Sequence, residues 1–441
     1  MTDELQRLRA GALAGARTLR IAAGLETFPH EVFDLADTLE VLDLSGNHLS
    51  TLPDDLHRLH RLKVLFASAN RFTELPTALG ACAQLEMVGF KSNRITHVPA
   101  EALPPRLRWL ILTDNAIAAL PDALGDRHRL QKLMLAGNHL RALPGTLQRC
   151  ASLELLRIAA NRFDALPGWL AELPRLAWLA MGGNPFNEAA EARARSGHGA
   201  AQVGWSSLYV GEVLGEGASG RILAARLPSG AGQRDVAVKL FKGEVTSDGR
   251  PLSELAASLA AGRHPRLIPV LGRLNGHPDG TQGLVMERIP AAYRTLAGPP
   301  SFESCTRDIY PAGLRLPCDV ALRIAADVAS ALAHLHGRGL AHGDLYAHNL
   351  LWRPDAPSGQ ACSLLGDFGA AAFAPPGPMG DAARRMDVRA FGVLLAELCD
   401  HAEGPLPDGA RTLAGDCLAE RPATRPDAAE LAARTVPWAA A

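Results

Sequence analysis

Five polar side chains in the second half of this 441-residue chain have types suited to anion and metal chemistry: Lys239, Glu254, Asp344, Asn349 and Asp367. A lysine ammonium is a compact point charge that suits an anion, carboxylate and amide oxygens suit a hard cation such as magnesium, and a carboxylate can accept a hydroxyl proton. Upstream, Leu214-Gly215-Glu216-Gly217-Ala218-Ser219-Gly220 places three glycines where backbone could approach an anion without a side chain colliding. With 42 glycines in the chain, that pattern alone is weak. Its surroundings strengthen it.

The order along the chain is the stronger signal. Val236-Ala237-Val238-Lys239 follows the glycines, and Glu254 comes next in a segment whose Leu252, Leu255 and Leu259 recur at helical spacing. Then come Val285-Met286-Glu287, His342-Gly343-Asp344-Leu345 with Asn349, Asp367-Phe368-Gly369, and Asp387 through Gly392. Across 208–436 this order resembles the protein-kinase signature set. The resemblance implies ATP and Mg2+ as cofactors. Leu214, Gly215, Gly217 and Gly220 would cover the phosphates, and Lys239 would neutralise them while held by Glu254; Glu244 is the runner-up partner but lies too close to the strand. Asp344 would take the acceptor's proton, Asn349 and Asp367 would bind magnesium, Ile222, Ala237 and Leu351 would enclose adenine, and Met286 would be the gatekeeper, with Glu287 at the entry to the hinge.

Several positions depart from that pattern. Gly343 stands where most protein kinases have Arg, and Tyr346 where Ser/Thr kinases have a phosphate-contacting Lys; His348 is near enough in sequence to serve as a substitute cation. The window from 370 to 386 is short, contains no Ser, Thr or Tyr, and has no Glu after Ala374-Pro375, so Asp381 is the expected substitute partner for Arg425. The string His-Gly-Asp-Leu with a following Asn also resembles aminoglycoside and choline phosphotransferases. Asp-Phe-Gly and the Asp387 segment favour the protein-kinase side. The Pro- and Gly-rich stretch 290–317 is expected to be an ordinary surface loop, with substrate recognition as the rival.

The first half has a different grammar. Asn47, Asn70, Asn93, Asn115, Asn138, Asn161 and Asn184 recur every 23 residues with one step of 22, in the frame Leu39-x-x-Leu42-x-Leu44-x-x-Asn47-x-Leu49-x-x-Leu52-Pro53. The frame resembles leucine-rich repeats, whose coils cannot bury their leucines alone and must stack. In that family the Asn bonds to backbone inside the turn and across to the next coil. An imperfect coil from Leu19 to Pro29, preceded by Glu4 to Leu19, is expected to cap the open edge. On the concave side, Phe66, Met87, Trp109, Ile111, Met134 and Trp178 form an apolar, aromatic stripe expected to bind a protein partner, with folding back of the kinase lobe or of the 290–317 stretch as the rival.

A net charge of -1 argues against nucleic acid as a partner. The N-terminal stretch lacks the apolar run of a secretory signal, no segment reaches membrane-span length, and seven irregularly spaced cysteines suit reduced thiols, so a cytoplasmic, bacterial-type protein is expected. The expected organisation is multidomain: a leucine-rich-repeat solenoid, or parallel β horseshoe, with its cap at 1–186, a linker at 187–204, and an α+β bilobal protein-kinase fold at 205–441. The expected function is transfer of the ATP γ-phosphate to a protein hydroxyl, Ser/Thr ahead of Tyr, with the repeats selecting the partner. The rivals are an interaction scaffold with a weak kinase lobe and a small-molecule phosphotransferase.

Overall fold

The computed structural model describes residues 3–196, 201–217, 219–230, 232–357 and 360–439. Residues 197–200 of the expected linker lie outside them. The chain divides into two compact units, Met1–Leu173 and Pro174–Ala441.

In the first unit a helix, α1 (Asp3–Arg9), precedes seven short strands: β1 (Thr18–Arg20), β2 (Val41–Asp43), β3 (Val64–Phe66), β4 (Met87–Gly89), β5 (Trp109–Ile111), β6 (Lys132–Met134) and β7 (Leu155–Arg157). They pair in parallel and in chain order, each strand's second residue facing the next strand's: Leu42, Leu65, Val88, Leu110, Leu133 and Leu156 form one fully buried row. A parallel sheet buried this way needs a cover on its first edge. The imperfect coil supplies β1, and α1 buries Leu5 and Leu8.

The asparagine frame works as a ladder of backbone caps. Asn138 donates from Nδ2 to the carbonyls of Leu112 (2.9 Å) and Leu135 (3.0 Å), and its Oδ1 accepts from the Ile117 amide (3.0 Å). Asn47, Asn70, Asn93, Asn115 and Asn161 repeat the arrangement one coil apart. Most prolines of the frame stand just before a short 3-10 turn, where their fixed φ and missing donor cost nothing.

The concave stripe is less available than its sequence suggests. Phe66, Trp109 and Met134 are half-buried, and Lys132 lies 4.3 Å over the Trp109 ring. Met87 is buried between Val64 and Trp109 in register, and Trp178 is 1% exposed, so neither is a free anchor for a partner.

The second unit opens with the last repeat strand, β8 (Trp178–Ala180), and helix α2 (Pro185–Ser196). A mixed sheet follows, built from β9 (Gln202–Gly204), β10 (Tyr209–Glu216), β11 (Gly220–Ser229), β12 (Gly232–Phe241), β13 (Val270–Asn275) and β14 (Gly283–Glu287). Its order is β10-β11-β12-β14-β13-β9. Helix α3 (Pro251–Ala261) packs beside β13, with Leu255 fully buried and Leu252 turned outward. The helical lobe centres on α4 (Cys318–Gly337) and α5 (Pro378–His401). This is the kinase-like α+β architecture, and no helix among the described residues is long and apolar enough to cross a membrane.

Candidate active site

Strand pairing gathers the site. Lys239 lies near the end of β12, and its ammonium donates to Glu254 of α3. Helix α3 places Glu254 there because Pro251 starts the helix while Leu255 and Ala256 face inward. Burial pushes the Glu254 carboxyl up, with Asp367 and Asp248 acting in the same direction, while Lys239 pulls it back down.

The second cluster is held by backbone. Leu350–Trp352 pairs antiparallel with Ser363–Leu365, which sets Asn349 against Gly366, whose amide donates to the Asn349 carbonyl (3.2 Å). Asn349 Nδ2 donates to the Asp344 carbonyl and to Asp344 Oδ2, both at 2.9 Å. His342 is fully buried and donates from Nε2 to the Gly366 carbonyl at 3.0 Å. Asp367, next along, has a φ of 52° and accepts from the Gly369 amide at 3.1 Å. Asp344, Asn349 and Asp367 are therefore brought together by the hairpin.

A cleft of about 900 Å3 runs from the Lys239–Glu254 pair to Asp367 of the second cluster. Leu214, Ile222, Ala237, Met286 and Leu351 line its apolar part, and Lys239, Glu254 and Asp367 its polar end. Ala237 and Met286 are register partners across β12 and β14. Glu287 also lines it, with its carboxylate paired to Arg234 on β12. Phe368 of the Asp-Phe-Gly string also lines it, together with Ile268 and Ile289, two residues that the motif reading passed over because they are ordinary apolar side chains.

The glycines divide by reason. At Gly215 and Gly217 a Cβ would have no atom of the described residues within 4 Å beyond its chain neighbours, so packing does not demand glycine there. Gly220 differs, since a Cβ would stand 2.4 Å from the Leu240 carbonyl on β12; close strand packing requires it.

Three acids that the motif roles left unused prove structural. Asp387 is buried on α5 and accepts the amides of His342 (2.7 Å) and Gly343 (2.8 Å) and His336 Nε2 (3.0 Å), clamping the loop that carries Asp344. Asp327 accepts the amides of Cys362 (2.7 Å) and Ser363 (2.8 Å) and pairs with Arg266 at 2.6 Å. Asp308 accepts from the His348 amide (3.1 Å) and Nδ1 (2.7 Å). The stretch 290–317 is thus not an ordinary surface loop: Cys305 and Thr306 are buried, and Asp308 ties the stretch to the Asp344 loop.

Arg425 also departs from expectation. It is 1% exposed and donates to the carbonyls of Ala419, Arg385 and Pro174, while Asp381 pairs with Arg384 instead. Helix α5 begins at Pro378, so Asp381 is already spent in its first turn. Burial pulls the Arg425 pKa down to about 10.

His348 offers a pH test. Burial alone would lower its pKa, but the Asp308 carboxylate, and beyond it Asp344 and Asp367, raise it above the ordinary 6.5. A raised folded-state value means that the pair's stabilisation is complete below about 6.5 and is lost as pH rises through the folded value. In Asp308→Asn the His348 titration followed by NMR should move down and this decline in stability should disappear. An unchanged titration midpoint would show that Asp308 does not hold the imidazolium.

Comparison with known proteins agrees with this geometry. Residues 208–374 match the family described as protein tyrosine and serine/threonine kinase, and residues 38–59 and 128–186 match leucine rich repeat families. The chain is 27% identical over 168 residues to "Probable serine/threonine-protein kinase gdt4" of Dictyostelium discoideum, covering 38% of this chain and 9% of that protein. It is 28% identical over 167 residues to "Serine/threonine-protein kinase PkaB" of Streptomyces coelicolor, covering 36% of each. With "CBL-interacting protein kinase 22" of Oryza sativa it shares 31% over 193 residues, covering 42% of this chain and 41% of that one. The chain therefore spans less than half the length of each of these relatives. Strand, cleft and family match agree on one identity: the chain carries leucine-rich repeats and a protein-kinase domain.

Proposed function

We propose that the protein is an ATP-dependent kinase that phosphorylates a protein hydroxyl, Ser or Thr ahead of Tyr, with the repeats selecting the partner. The observation that carries this reading is one cleft with an apolar inner wall whose polar end holds the Lys239–Glu254 pair and Asp367, with the Asn349–Asp344 bond next to it through the Gly366 amide. The residues fit ATP and Mg2+. Lys239 would meet phosphate oxygens, Asp367 and the Asn349 amide oxygen would hold magnesium, and Leu214, Ile222, Ala237 and Leu351 would enclose the base, with Met286 behind it and Glu287 at the hinge.

Magnesium, when bound, neutralises phosphate charge and helps align the triphosphate. Glu254 keeps the Lys239 ammonium at the polar end of the cleft. Asn349 spends its amide nitrogen on Asp344, so Oδ1 is the atom it offers a cation, and the same bond orients Asp344 to take the acceptor's proton. The contribution is positioning and charge compensation. Gly215 and Gly217 would let the β10–β11 turn close over phosphate.

Support for a cytoplasmic setting comes from the seven cysteines, all of them free thiols. The test of the activity is incubation of the full chain with γ-labelled ATP, magnesium and a protein acceptor. Absence of label on any acceptor, the chain itself included, with ATP bound, would favour the scaffold.

The segment after Asp367 also predicts how activity is not controlled. It has no Ser, Thr or Tyr before Asp387, forms the short strand Ala372–Phe373 against Leu340–Ala341, and enters α5 at Pro378. Phosphatase treatment is expected to leave the rate unchanged. A large loss traced to a site in the kinase domain would refute this.

A further inference from the structure

The two departures in the catalytic loop, Gly343 and Tyr346, share a physical cause within the second unit. Both face the last repeat coil. The Trp178 ring stacks on Tyr346 at 4.3 Å and 6° and donates from Nε1 to the Leu345 carbonyl at 2.9 Å. Gly343 has a φ of +71°, and a Cβ there would stand 2.5 Å from the Leu179 carbonyl, so the arginine of the family pattern cannot be accommodated. A lysine at 346 would forfeit the stack.

Helix α2 continues the same contact toward the other elements that flank the site. Asn187 Nδ2 donates to the Phe373 carbonyl (2.7 Å), in the strand that follows Asp367-Phe368-Gly369. Buried Glu191 accepts from Ser253 Oγ (2.9 Å) on α3, one residue before Glu254, and its other oxygen accepts from the Gly183 amide (2.7 Å). The terminal coil and α2 thus touch α3, the Asp344 loop and the post-Asp367 strand together, all three of which must be in register for the cleft to assemble.

We propose that this coil and helix hold the cleft in its assembled arrangement, with Glu191 acting through Ser253 and Trp178 acting through Leu345 and Tyr346 as positioning residues for phosphate transfer. The role rests on the kinase reading above. It replaces a phosphorylated activation segment with a permanent contact from the repeat side of the chain: the receptor arginine and the acceptor hydroxyls are gone, and a buried aromatic stack and a charge-assisted bond stand in their place.

The test uses the full chain with Ser253→Ala, which leaves Glu191 bonded to Gly183, and Trp178→Phe, which keeps an aromatic ring but deletes the N–H. Trp178→Ala is avoided because emptying a buried site can unfold the chain. Hydrogen exchange is read over 251–261 and 342–349, together with kcat and KM for ATP. Ser253→Ala should speed exchange in the first segment and Trp178→Phe in the second, each by about tenfold, as expected for loss of one buried hydrogen bond. Each should lower kcat several-fold more than it changes KM, and Ser253→Thr, which keeps the hydroxyl, should restore it. Unchanged exchange in both segments, or a rise in kcat on removing either contact, overturns the proposal; a rise would mean that the coil restrains the site. A wild-type chain that transfers no phosphate sinks the kinase reading instead, and is told apart because exchange responds without turnover.

Discussion

Asp344→Asn is expected to lower phosphate transfer by about 10²–10⁴-fold, the range for loss of a positioned proton acceptor. Asparagine keeps the shape and can still accept from Asn349 Nδ2, so the fold and the cleft should survive. Lys239→Ala should be comparably damaging for a different reason. It leaves Glu254, already raised by burial, without its counter-charge, so the carboxyl should take up a proton rather than remain an uncompensated buried anion. Steady-state transfer from labelled ATP, with thermal melting as the check on folding, separates the two effects. Near wild-type turnover in a folded Asp344→Asn protein would remove Asp344 from the catalytic assignment.

The second large effect belongs to the repeat ladder. Asn138→Ala removes one acceptor and two donated bonds from a site 3% exposed, leaving the Ile117 amide without its acceptor and the Leu112 and Leu135 carbonyls each with one donor, Asn115 Nδ2 and Asn161 Nδ2. At about 1–3 kcal/mol for the one buried amide left unsatisfied and about 0.5–1.5 kcal/mol for each of the two other bonds lost, the first unit should lose roughly 2–5 kcal/mol, moderated by whatever water enters. Because the chain has two compact units, the unfolding transition of the repeat unit should be followed separately, for example by the exchange protection of repeat-strand amides. His139→Ala, on an exposed neighbour, is the control and should change little. Equal stability of the two variants would mean that the asparagines are not the caps they resemble.

Regular spacing and local residue type carried much of the architecture. The period of the asparagines and leucines sets the stacking of coils, because each coil repeats the same local problem of burying leucine and satisfying a turn. The motif order likewise singled out Lys239, Glu254, Asp344, Asn349 and Asp367; Lys239, Glu254 and Asp367 line one cleft, and Asn349 bonds Asp344 on the adjoining loop. The motif order named Asp387 but not its role, and left out Asp327 and Asp308, because all three accept backbone amides from residues far along the chain, such as His342, Ser363 and His348. Nothing in a carboxylate's neighbours names such a distant partner.

Trp178 marks the limit most clearly. Its frame is that of every other repeat, so the sequence assigns it the concave position and, with it, a partner-binding role. Its actual neighbours are Leu345 and Tyr346, with a hydrogen bond that spans 167 positions. Likewise Gly343 and Tyr346 read as losses of charge when compared with the kinase pattern, although one is required by the approach of the Leu179 carbonyl and the other is half of an aromatic stack. The sequence alone determined the repeating coil, the motif order and the chemistry available at each motif, since these follow from periodicity and residue type. Which surfaces stay open, which glycines serve packing rather than ligand, and which elements brace the catalytic loop were decided only by tertiary structure, because steric exclusion and burial depend on atoms that the chain brings together from distant positions.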